Sequence, residues 1–142
     1  MELGENQTMF KIVAEASLDL IFSQAVLEHV DGLEETYRAM FAWLKPGGYA
    51  SHVIDFTAHG RSPFWNGHWA YSDWEWELVR GKREFLLNRE PLSTHLALVR
   101  NVGFELGRVN TNGYGYAILP LWKSPTPSIA TSSRVCRRHA AT

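Results

Sequence analysis

The stretch from Leu18 to Phe56 constrains this chain more than any other, because it contains two apolar strands with a capped helix between them. Leu18-Asp19-Leu20-Ile21-Phe22 is short, rich in large apolar residues and nearly unbroken. That pattern predicts a strand covered on both faces in a parallel sheet. Asp31 is placed to cap the following helix, with Glu34 three residues on as in a capping box. Leu33, Tyr37, Met40, Phe41 and Leu44 then line one helical face, and Glu34, Glu35 and Arg38 the other. Lys45 falls in the last turn, Pro46 stops the helix, and Gly47-Gly48 allow a reversal into Tyr49 to Phe56. Two strands joined through a crossover helix imply a right-handed parallel connection.

The pieces and their spacing resemble a known family. Leu18 to Ser23, then Val26-Leu27-Glu28-His29-Val30, then Leu44-Lys45-Pro46-Gly47-Gly48 is similar to the fourth strand, fourth helix and fifth strand of a class I S-adenosylmethionine-dependent methyltransferase. The resemblance implies a Rossmann-like α/β fold, S-adenosylmethionine as cofactor and a small-molecule methyl acceptor. The first half of that family's sheet carries a glycine-rich turn and an acidic strand end, and neither is present. Only 17 residues precede Leu18, and Gly4, their one glycine, has no strand pattern ahead of it. The expected fold class is therefore a partial Rossmann-like methyltransferase sheet, strands four to seven with the last antiparallel, plus a helical aromatic cap.

Composition bounds the alternatives. A length of 142 residues, 45% apolar and 20% charged, suits one soluble globular domain. The formal net charge of −1 makes no case for nucleic acid or an anionic membrane. A single cysteine, Cys136, excludes an internal disulfide and a thiolate zinc cluster, and a cytoplasmic location is the default expectation. No apolar run is long enough to span a membrane, and no signal-peptide pattern opens the chain.

Three regions follow. Residues 1–17 read as a lead-in, with Met9-Phe10-Lys11-Ile12-Val13 as a candidate strand remnant. Residues 18–123 read as the methyltransferase-like domain, with a cap insertion at about 57–92. Residues 124–142 carry Pro, Ser, Thr, Ala and three arginines and read as a disordered, solvated tail. Within the insertion, Phe64, Trp65, Trp69, Tyr71, Trp74 and Trp76 crowd into 13 residues, and Ser72-Asp73 caps a helix that Gly81 ends. Ser93 is placed to cap a helix over Thr94–Val102, stopped by Gly103. Strands over 104–109 and 114–121, joined at Asn110-Thr111-Asn112-Gly113, complete an antiparallel hairpin.

Ligands of open parallel sheets bind beyond the carboxyl ends of the strands. The first such end carries Ser23, Gln24 and Ala25, which with His29 the resemblance places along the methionine part of the cofactor. Ser23 serves equally well as a turn cap, and His29 as a packed, hydrogen-bonded ring. The second end carries Asp55 and His59, a carboxylate–imidazole pair of the kind that forms a general base, although a loop aspartate is also a common turn former. Ser72-Asp73-Trp74 with Asn88-Arg89 resembles a substrate-covering cap in a subset of the family, which makes Trp65, Trp69, Trp74, Asn88 and Arg89 the candidate substrate-binding residues, while the aromatics also read as a simple hydrophobic lid. No histidine pair shows metalloprotease spacing, so no metal ligands are assigned. The open edge of Leu18–Phe22 calls for cover: the Met9–Val13 segment, a partner chain or second copy supplying strands, or an incomplete, truncated fold. The rival class is a non-catalytic remnant that binds or scaffolds.

Overall fold

A computed structural model describes residues 12–125. The strands are β1 (Leu18–Gln24), β2 (Leu44–Asp55), β3 (Glu105–Leu106), β4 (Asn110–Thr111) and β5 (Tyr116–Trp122). The helices are α1 (Leu33–Trp43), α2 (Asp73–Arg80) and α3 (Leu92–Val102). The sheet order is β1-β2-β5-β3, with β4 also on β5. β1 and β2 run parallel, and β5 is antiparallel to β2. The α/β class, the crossover through α1 and the antiparallel last strand match the expectation from sequence.

One face of the sheet builds the core. Ala50, His52 and Ile54 of β2 alternate inward with Ala117, Leu119 and Leu121 of β5. Against them lie Leu33, Tyr37 and Met40 of α1 and Val99 of α3. Phe41 and Phe104 close the far end edge to face, with ring centroids 5.0 Å apart. The other face is bare among the described residues: Phe22 is 77% exposed, Leu20 55%, and Ile118 and Trp122 about 40% each. β1 is therefore an edge strand covered on one face, and the expectation of cover on both is corrected. A run of large apolar residues reports that both faces are adapted for burial, and here α1 and α3 cover only one.

Three local expectations are also corrected. Asp31 does not cap α1; its carboxylate accepts from Arg80 Nη2 at 2.6 Å, and Gly32 takes the N-cap position without a side-chain bond. Lys45 does not serve the end of α1, because its ammonium reaches both oxygens of Asp19 on β1. Lys123 takes that place, donating to the carbonyls of Phe41 and Leu44. Pro46-Gly47-Gly48 makes a bulge inside β2 rather than a separate reversal: Leu18 pairs with Leu44, yet Leu20 pairs with Tyr49. Gly47, at φ +81°, supplies the backbone angle this needs. Ser93 likewise is not a cap, since α3 starts one residue earlier behind Pro91. The hairpin turn lies at 112–115, where Asn112 Oδ1 accepts from the amides of Tyr114 and Tyr116, and the positive φ falls on Gly115. Asn110-Thr111 is strand rather than turn. Ile12 and Val13 form no strand, and Met9 to Lys11 lie outside the described residues, as does most of the tail.

Asn88 makes three of the side-chain hydrogen bonds that dock the insertion on the body and brace it, beside the Arg80–Asp31 pair and Trp69 on Phe56. Asn88 Nδ2 donates to the carbonyls of Leu27 and Val30, its own amide donates to Glu28, and its Oδ1 accepts from Glu90. Behind it, Trp76, Leu86 and Leu87 form a second small core with Tyr71 and Val79. α2 opens behind Ser72 and stops at Gly81 as expected, and Glu75, accepting from Ser72, adds a capping box that the sequence reading did not single out. Asn88→Ala removes three side-chain bonds of roughly 1 kcal/mol each. It should lower stability by about 3 kcal/mol in urea unfolding followed by tryptophan fluorescence, and Asn88→Asp should be no milder, because a carboxylate cannot donate to the Leu27 and Val30 carbonyls.

Under α1, Ser23 Oγ meets His52 Nδ1 at 2.8 Å and Tyr37 Oη meets His95 Nδ1 at 2.9 Å, while Nε2 of both histidines has no partner. Burial pushes both imidazoles down to about 4, His95 being further lowered by His52. In the unfolded chain they titrate near the ordinary 6.5. Between those values the unfolded chain binds protons that the folded one refuses, so stability is full above about 6.5 and falls as pH drops toward 4. Each unit of difference amounts to about 1.4 kcal/mol per group. Melting temperature should therefore fall steadily from pH 7 to 4.5, and His95→Gln should flatten that slope in thermal melts.

Candidate functional site

The parallel pairing sets Ser23 beside His52 and Gln24 beside Val53, so the carboxyl ends of β1 and β2 finish side by side. Ala25 follows at φ +52°, its amide bonded to the Val53 carbonyl, which turns the chain sharply out of the sheet. A single turn over Leu27–His29 comes next. From β2, Asp55 ends the strand, and His59, at φ +47°, stands on the loop beyond it. Two strand ends thus deliver Glu28 and His29 from one side and Asp55 and His59 from the other.

Asp55 and His59 are brought together as expected, with Oδ2 to Nε2 at 3.0 Å. Asp55 Oδ1 accepts from the Thr57 amide at 2.8 Å, and the Tyr116 hydroxyl lies beside the same carboxylate. Burial works to raise the Asp55 carboxyl, but hydrogen bonds from Thr57, Tyr116 and His59 outweigh it and hold it below the usual range. An ionised Asp55 thereby fixes the His59 ring, an arrangement suited to accepting a proton from a substrate.

His29 lies within 5.3 Å of His59, ring centre to ring centre, and its Nδ1 is buried without a partner. Beside them Glu28 is 4% exposed, and neither carboxylate oxygen has a hydrogen-bond partner. Burial pushes its carboxyl up; its own amide, His29 and the Asp55 amide offset this only in part. Sequence reading gave Glu28 no role beyond its place, with His29, at the start of the helix that follows the first strand. The available signal was an acid in a run of Val, Leu and Val that the fold had to bury.

The other sequence candidates separate by position. Ser23 is engaged by His52, so its hydroxyl already has a partner inside the fold. Gln24 and Ala25 are exposed at the strand end. Trp65 and Trp69 stand edge to face at 6.2 Å, and Trp69 packs on Phe56 while donating to the Arg89 carbonyl. Trp74 projects from α2 and is exposed. Arg89, at φ +64°, stacks over Trp76 at 5.3 Å and donates to the Tyr71 carbonyl. Together with Asp73, Trp76 and Glu90, Asn88 and Arg89 line an open cleft of about 280 Å³.

The group implied by the resemblance can be tested against these positions. The small, exposed Ala25 and the free strand end leave room for the methionine end of S-adenosylmethionine. Among the described residues no glycine-rich turn is present to hold the adenosine half.

Residues 6–51 match the family described as methyltransferase domain. Solved structures share the fold at low identity. An S-adenosylmethionine-dependent methyltransferase from Mesorhizobium loti is 14% identical with a TM-score of 0.59, over 78% of this chain and 63% of that one. Another from Methanosarcina mazei is 18% identical at 0.58, over 79% and 62%. The partner of the Haloferax volcanii Trm112 methyltransferase activator, solved as their complex, is 12% identical at 0.58, over 79% and 57%. This chain thus spans about three fifths of the length of these structures. No curated protein matches it. The matched segment resembles that family over residues 6–51, and the solved structures show that the chain shares the Rossmann-like α/β fold of S-adenosylmethionine-dependent methyltransferases.

Proposed function

We propose that this chain contributes the methionine-end and acceptor side of an S-adenosylmethionine-dependent methyltransferase acting on a small molecule. The observation that carries the reading is the parallel register that brings the ends of β1 and β2 together, with Asp55 and His59 paired at 3.0 Å beside them. When bound, the cofactor supplies an electrophilic sulfonium methyl, so the protein's task is alignment, water exclusion and proton removal. Gln24, Ala25 and His29 border the cofactor end, with Ser23 holding the strand end through His52. The His59 ring, held by Asp55, takes the acceptor's proton. Trp65, Trp69 and Trp74, with Asn88 and Arg89, form the cover, in which exposed aromatic faces attract a cationic group and shed water.

The sheet face that is bare among the described residues favours a second element in this reading. Phe22, Leu20, Ile118 and Trp122 are too exposed for an isolated sheet face to be its working state. A strand-supplying partner, either another chain or a second copy, covers that face and the β1 edge. The competing reading, a non-catalytic binding remnant, draws on the same bare face, because it is also what remains when the adenosine-binding half is lost.

Calorimetric titration of the 142-residue chain with S-adenosylhomocysteine separates the two. Micromolar binding is the expected result. Absence of heat at millimolar ligand would leave the remnant standing.

A further inference from the structure

We propose that Glu28, His29 and His59 form a binding site for a divalent transition-metal ion. Each of the three offers a ligand atom, and these atoms all lie within 4.8 Å of one another. Ligands of a four-coordinate zinc ion at ~2.0–2.1 Å stand roughly 3.4 Å apart, so modest side-chain rotations close the set. The sequence hides the group, because His59 lies thirty residues beyond His29 and only the parallel β1–β2 pairing joins them.

The second and independent observation is Glu28 itself. A carboxylate buried to this degree ordinarily acquires a donor for each oxygen, and both of its oxygens lack one. The buried Nδ1 of the adjacent His29 lacks a partner as well. Unsatisfied acceptors on neighbouring side chains leave room for one positive centre to satisfy them together. Asp55, on Nε2 of His59, then plays the part of a carboxylate that orients a ligating imidazole from behind.

The donor set selects the ion. Two imidazoles and one carboxylate, with no thiolate, suit zinc or a neighbouring first-row divalent ion; magnesium and calcium take oxygen ligands. With the ion bound, His59 is a ligand and not a base, so the two roles exclude each other. The inference needs no methyl transfer and no bound cofactor.

The test is calorimetric titration of the 142-residue chain with zinc chloride, with no S-adenosyl compound present, repeated with magnesium. One equivalent of zinc should bind at micromolar strength or tighter, and magnesium should not compete. Glu28→Gln and His59→Ala should each weaken binding by more than about 100-fold, and Asp55→Asn by about 10- to 100-fold. Circular dichroism identifies any variant that fails to fold; Glu28→Gln is nearly isosteric and His59 is on a loop, so the two fail independently. Unchanged zinc affinity in folded Glu28→Gln or His59→Ala would overturn the site, since the ion would then reside elsewhere, for instance on Cys136 or His139. No binding to the parent chain would overturn it too.

Discussion

The parallel pairing of β1 with β2 is the constraint on which the remaining structure depends. Parallel neighbours need a crossover, and here α1 is that crossover, so its apolar face is committed to one side of the sheet. The same pairing makes both carboxyl ends finish at one edge of the molecule, bringing Glu28 and His29 against Asp55 and His59. β5 then inserts antiparallel on the far side of β2, which pairs the central strand on both edges. Without that arrangement the acids and histidines would be scattered loop residues.

Two buried polar layers distinguish this core from a purely apolar one. Under α1, His52, Tyr37 and His95 stack edge to face, anchored at Ser23 and between the rings by single hydrogen bonds. At the strand ends, Glu28 and His29 are left incompletely satisfied. The first layer fixes how α1 and α3 sit on the sheet, because a hydrogen-bonded ring has few positions in which its partner is met. The second faces the open end of the sheet, where the proposed site lies. The difference between them lies in position: one is sealed between helices and sheet, and the other opens onto the loops that follow the strands.

Much of the fold was legible in the sequence, and the reasons are local. Hydrophobic periodicity gave α1 its face, and Gly81 and Gly103 stop α2 and α3 where the sequence placed them. Caps were less legible, because Asp31 and Ser93 have the right chemistry but were competed away or bypassed: Arg80 claims Asp31 from 49 residues along the chain, and α3 begins before Ser93. Such competition is tertiary and leaves no trace in a short window. Asp55 and His59 were readable because they are close in sequence, whereas the approach of Glu28 and His29 to them depends on register. The exposure of Leu20 and Phe22 was opaque for a related reason: a residue's hydrophobicity records suitability for burial and says nothing about which element covers it.

The account therefore stands on strand direction and register at the site. Backbone cross-strand nuclear Overhauser effects on the isotopically labelled chain measure these directly. Effects linking Ser23 with His52 and Gln24 with Val53, in the evenly spaced pattern of parallel strands, are the predicted result. An antiparallel pattern between β1 and β2, or none between them, would contradict it and dissolve the site.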